Sequence, residues 1–209
     1  LCQIYWYSLY AFVRRSGYTS HDAEELTQEF LTRFVQREYL RAVDRDRGKF
    51  RSFLLAAMKH FLSNERERAG AQKRGGGRAT ISLDFRDAET HYGLEPSDEI
   101  TPERLYDRRW ALTLLDGVKV ILEQEYAASG KADLFARLRT CLTPSPDSPP
   151  YRELAQASDL TEGAVKTAVH RLRRRYRQLL KQQIGQTLDD PDDTEDELRD
   201  LFMAVQILK

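Results

Sequence analysis

The residues best suited to chemistry in this chain are cations crowded on one stretch, and the chemistry they offer is recognition, not bond-making. Lys166, His170, Arg171, Arg173, Arg174, Arg175, Arg177 and Lys181 follow one another there, opposed only by Glu162. Guanidinium and ammonium groups hydrogen-bond phosphates and base edges, and Arg or Lys to guanine is the commonest base-specific contact in DNA. No comparable set points to catalysis. The four histidines (His21, His60, His91 and His170) are scattered, Cys2 and Cys141 are far apart, and no metal, nucleotide or nucleophile motif is present. Catalytic residues, metal ligands and cofactors are therefore expected to be none.

The elements that would position the cations can be read from spacing. Val165, Val169, Leu172, Tyr176 and Leu179 recur at steps of four, three, four and three, which is one face of an α-helix. Thr161 is a good N-cap for it. A shorter helix from Tyr151 precedes it and breaks at Ser158–Asp159, with Asp159 where glycine would be usual. Ala155 is small enough to let the two helices cross closely, with Leu160 and Val165 expected to plug the crossing. This layout predicts a helix-turn-helix whose second helix enters the major groove. The plainer alternative is a solvated charged face.

The 209 residues carry 33 basic and 33 acidic side chains. That balance hides a segregation. Residues 1–78 hold 15 basic and 9 acidic groups, and residues 151–184 hold 8 and 3. Residues 79–150 hold 8 and 13, and residues 185–209 hold 2 and 8. Two basic blocks around an acidic one predict two DNA-facing modules on a connector. The cysteine usage and the lack of a signal peptide or long apolar run predict a soluble, cytoplasmic protein with no membrane contact. The chain starts at Leu1 without Met, so residues are expected to be missing upstream.

Residues 1–15 read as a buried aromatic helix ended by Gly17, and Thr19 or Ser20 caps a second with Asp22, Glu24 and Glu25 near its start. A charged loop from Arg41 to Lys49 leads to a third helix over about 50–68, then to a glycine-rich basic segment that lacks a P-loop Gly-Lys-Ser/Thr. Pro102 opens a helix to about Tyr126, with Trp110 as core, and 132–142 forms another after Gly130. The expected fold is all-α: a domain over 1–78, an acidic linker over 79–101, a helix-turn-helix domain over 102–184, and an acidic tail over 185–209. On the tail, Leu198, Leu201, Phe202, Val205 and Leu208 form a stripe expected to pack on the second domain. The alternative is that the acidic tail covers a basic DNA face.

Three motifs in order carry a resemblance. Asp22–Ala–Glu–Glu–Leu–Thr–Gln–Glu–Phe30 is similar to the polymerase-binding helix of bacterial sigma factors. Arg47–Gly–Lys–Phe–Arg–Ser–Phe–Leu–Leu55 resembles their promoter-melting segment, and Gly163–Ala–Val–Lys–Thr–Ala–Val–His–Arg–Leu–Arg173 resembles their last recognition helix. The chain as a whole resembles RNA polymerase sigma factors of the extracytoplasmic-function (ECF) type, over roughly 1–78 and 102–184. The resemblance implies that Glu25, Gln28 and Glu29 contact core RNA polymerase. It implies that Asp46, Lys49, Phe50, Lys59, His60 and Asn64 serve the −10 element, and Lys166, Thr167, His170, Arg171 and Arg174 the −35 element, with Arg174 on phosphate. Phe53 stands where the family usually has Trp, His60 where it has Asn, and Ala168 where it often has Arg. The implied partners are core polymerase and promoter DNA, with room for an anti-sigma factor or a regulatory kinase. A free-standing helix-turn-helix regulator is the alternative function.

Overall fold

A computed structural model describes residues 2–36, 49–71, 85, 87–95, 100–143, 148–188 and 190–206. Nine α-helices occur among them: α1 (Cys2–Arg15), α2 (Ser20–Val35), α3 (Phe50–Ala71), α4 (Ala88–Gly93), α5 (Pro102–Ala128), α6 (Ala132–Leu138), α7 (Tyr151–Ser158), α8 (Glu162–Gly185) and α9 (Thr194–Gln206). No strand is found among the described residues, so the protein is all-α. Their ends have local causes. Gly17 (φ 94°) and Gly130 (φ 70°) adopt the left-handed conformation open to a residue without Cβ, stopping α1 and α5. Thr19 caps α2 by accepting from the Asp22 amide at 3.2 Å and returns a 2.7 Å hydroxyl bond to the Asp22 carboxylate.

The chain forms two compact units, Leu1–Thr113 with Thr187–Lys209, and Leu114–Gln186. The first buries Tyr5, Leu9, Tyr10 and Val13 of α1, Phe30 and Leu31 of α2, and Leu54, Met58 and Phe61 of α3. Leu105, Tyr106 and Trp110 from the start of α5 complete this core. The Tyr106 hydroxyl donates to the Arg51 carbonyl at 3.0 Å, and the Arg51 guanidinium lies 4.8 Å over the Trp110 ring. Trp110 therefore belongs with the first unit, and the helix assigned whole to the second domain is divided between the two.

The expected linker region also contributes structure to the first unit. Helix α4 is clasped to α1 by Glu89, which accepts from Tyr10 at 2.6 Å and from Arg14 at 2.6 and 2.9 Å. Phe85 stands edge-on to Trp6 at 5.1 Å, and Ile100 packs with Ala11, Leu105 and Tyr92. The glycine-rich segment from residue 72, the loop 41–48 and residues 144–147 lie outside the described residues.

The tail corrects the sequence expectation. Helix α9 joins the first unit, not the second, burying Leu198, Leu201 and Ala204 there. Its acidic face finds cations in the first unit: Glu197 bonds Arg51 at 2.5 Å and Lys49 at 2.8 Å. Phe202 is 44 % exposed, so the apolar stripe is narrower than its spacing predicted, and Leu208 lies outside the described residues.

Candidate nucleic-acid interface

In the second unit, α7 and α8 join through a turn that the sequence specifies locally. Asp159 takes the left-handed conformation (φ 52°), which Asp tolerates better than most residues, and the Leu160 amide donates back to the Ala155 carbonyl at 3.0 Å. Thr161 then caps α8 by accepting from the Ala164 amide at 3.2 Å. The stripe Val165, Val169, Leu172, Tyr176 and Leu179 is buried, and the Tyr176 hydroxyl donates to the Leu115 carbonyl at 3.1 Å. Leu160 does not plug the crossing with Val165, because the reversal at Asp159 turns it outward to 40 % exposure.

Opposite that stripe, Lys166, Thr167, His170, Arg171 and Arg174 are all exposed. Their positions i, i+1, i+4, i+5 and i+8 put them on one helical face. Lys166 pairs with Glu162 at 3.1 Å, and the Thr167 hydroxyl donates to the Gly163 carbonyl at 3.0 Å. The basic run is not uniform in role. Arg173 donates to the Cys141 carbonyl at 2.7 Å, and Arg175 forks onto Glu125 at 2.5 and 2.9 Å. The hydrogen bonds from Arg175 hold the Glu125 carboxyl below its ordinary range. These two arginines fasten α8, and sequence alone could not separate them from the outward ones. Beside the outward face lies a cleft of about 340 Å³ lined by Tyr126, Ser129, Lys131, Ala168 and Arg171 among others.

In the first unit the residues that the resemblance assigns to the −10 element divide. His60 and Asn64 sit one turn apart on α3, with ring nitrogen and side-chain amide 3.2 Å apart; His60 is exposed and Asn64 partly so. Lys59 beside them is exposed and pairs with Glu103 at 2.8 Å. Phe50, at the start of the helix, is half-buried among Tyr5, Phe34 and Phe53, with ring centres 5.4, 6.0 and 6.4 Å away. Much of its surface is thus committed to packing. Asp46 lies outside the described residues.

Lys49 is held by Glu197 and Asp200 of α9. Burial opposes its charge, but those carboxylates outweigh burial and raise the ammonium above its ordinary range. Arg51, given no role by the sequence, is the hub of this cluster. It bonds Glu197, Asp200 at 3.0 Å and Asp107, and its side chain is only 11 % exposed. Burial pushes Asp107 above its usual value despite Arg51, with Glu197 and Asp200 adding to the push. Sequence does not reveal this hub, because the acidic partners of Arg51 stand at least 56 residues away.

On α2, Glu25 is exposed and lies 3.4 Å from His21, while Glu29 pairs with Arg33. Arg33 reaches Glu65 of α3 at 3.2 Å and lies 5.2 Å over Phe61. Glu25 and Glu29 share a face at i, i+4 with partly exposed Gln28 beside them. Among the described residues no helix is long and apolar enough to cross a membrane, and no group of three His, Cys, Asp or Glu could hold a metal.

A family model described as ECF sigma factor matches residues 13–125, more than half the chain. The match spans α2, α3 and most of α5 and stops before α7 and α8. No curated protein and no solved structure matches the chain.

Proposed function

This chain belongs to the ECF sigma factor family, and from that premise we propose that it binds core RNA polymerase and directs initiation at promoters through two separate DNA-reading surfaces. Members of the family act with RNA polymerase in promoter-directed transcription. The observation that carries the finer reading is the exposed row Lys166, Thr167, His170, Arg171 and Arg174 over a fully buried apolar stripe on α8. Such a helix can enter a major groove without uncovering its own core.

In this reading α8 reads the −35 element in duplex form. Lys166, Thr167, His170 and Arg171 meet base edges, and Arg174, one turn on, meets phosphate. Lys59, His60 and Asn64 face the −10 element; the imidazole and the amide each offer a donor and an acceptor to an exposed base edge. Lys49 supplies phosphate contact where the strands part. Glu25, Gln28 and Glu29 dock α2 on core polymerase. The protein does no bond chemistry itself: polymerase supplies catalysis, and this chain supplies choice of start site.

The test is transcription in vitro with purified bacterial core polymerase, with and without the chain, on fragments of its own genome. Discrete new transcripts sharing −10 and −35 elements are expected. Absence of transcripts and of co-elution with core, alongside specific duplex binding by the chain alone, would instead establish a free-standing regulator.

A further inference from the structure

The cluster at the foot of α3 is charged the wrong way for a DNA-facing site. It contains two cations, Lys49 and Arg51, and three carboxylates, Asp107, Glu197 and Asp200. Its net charge is therefore negative, and two of the three acids come from α9. A phosphate approaching Lys49 finds the ammonium already bonded to two carboxylates, which compete for the same donors. We propose that α9 is an internal competitor for promoter DNA, whose Glu197 and Asp200 occupy Lys49 and withhold it from phosphate until they are displaced.

The two acids divide the work. Glu197 is 2 % exposed and holds both Lys49 and Arg51, so it anchors the helix. Asp200 is 41 % exposed and reaches the same two cations from the rim, so it is the member that can let go. Arg51 is pinned besides by Asp107 and by the Trp110 ring, and stays structural. Lys49, 25 % exposed, is the cation released. Losing the Asp200 charge brings the cluster to neutrality, and displacing both α9 acids makes it positive.

The inference rests on the promoter-binding reading above. It is tested with full-length chain bound to core polymerase, on a promoter fragment identified by transcription and carrying a melted −10 region. Asp200→Asn changes a rim group, so the melting temperature is expected to match wild type. Binding should tighten about threefold, and the slope of log affinity against log salt should steepen by about 0.7–0.9, the value of one phosphate contact. Lys49→Ala should abolish the gain when combined with Asp200→Asn, leaving the double variant no tighter than Lys49→Ala alone. Unchanged affinity and salt slope in a folded, transcribing Asp200→Asn protein would overturn the inference alone. A gain that persists without Lys49 would also overturn it. If wild type drives no promoter-specific transcription, the promoter reading itself falls and takes the inference with it.

Discussion

Replacing Arg51 by Met gives the most direct measure of what fastens α9 to the first unit. The substitution keeps an unbranched stem beside Trp110 and removes the guanidinium that meets Glu197, Asp200 and Asp107. Glu197 would be left 2 % exposed with Lys49, 2.8 Å away, as its remaining cation. Removing one member of a buried ion pair costs about 3–5 kcal/mol, because the other charge stays desolvated. The surviving Lys49 pair offsets part of that, while the lost cation–π contact adds about 1 kcal/mol. The expected loss is about 2–4 kcal/mol, and with a urea m-value of about 1–3 kcal/mol/M the midpoint should fall by about 1–2 M. Tryptophan fluorescence reads this cleanly, since Trp6 and Trp110 are the only tryptophans and both lie in the first unit. Combining Arg51→Met with Glu197→Gln should recover about 1–3 kcal/mol as coupling. A midpoint shift below about 0.3 M, or a Glu197→Gln penalty as large without Arg51 as with it, would refute the argument.

Three further outcomes are expected. Bonds from Arg14, opposed by burial and aided by Tyr10, hold Glu89 below its ordinary value near 4.5. The α1–α4 clasp therefore contributes fully above that value and is lost as pH falls through the lowered one. Acid titration followed through Trp6 beside Phe85 should show this loss, and Glu89→Gln should remove it. Thr161→Ala removes the α8 cap and should cost the second unit about 1 kcal/mol, read by thermal unfolding followed by circular dichroism. Arg171→Ala should cost about 1–3 kcal/mol of promoter affinity and relax choice at one −35 position, read by binding to a set of single-base promoter variants. Arg175→Ala should leave that choice intact, because its side chain is spent on Glu125.

What sequence could show here follows from the range of each interaction. Helix α8 was legible because its stripe, its Thr161 cap and its preceding break all lie within a few residues of one another. Gly17 and Gly130 were legible as stops for the same reason. Arg173 and Arg175 were not separable from Arg171 and Arg174, since a run of cations shows charge but not which carbonyl or carboxylate each will meet. The seat of α9 was hidden for a stronger reason. Its acids are complementary to any basic face, and only the packing of Leu198 and Leu201 selects the one beside Lys49 and Arg51. The linker reading captured the acidity of residues 79–101 but not that Glu89 would use its charge to clasp α1.

The division of α5 between two cores has a consequence for how this protein can be taken apart or recombined. A cut at residue 101, where composition suggests a border, would strip the first unit of Leu105, Tyr106 and Trp110, each at most 2 % exposed. A cut at residue 113, where the units divide, would sever a helix in mid-course and strand about four amides and four carbonyls on the two sides. Among the described residues, the division at residue 113 falls within a helix and not within a loop. A chimera that preserves both cores has to cross over inside α5 with its helical phase kept and cross back near residue 186, because residues 187–209 return to the first unit.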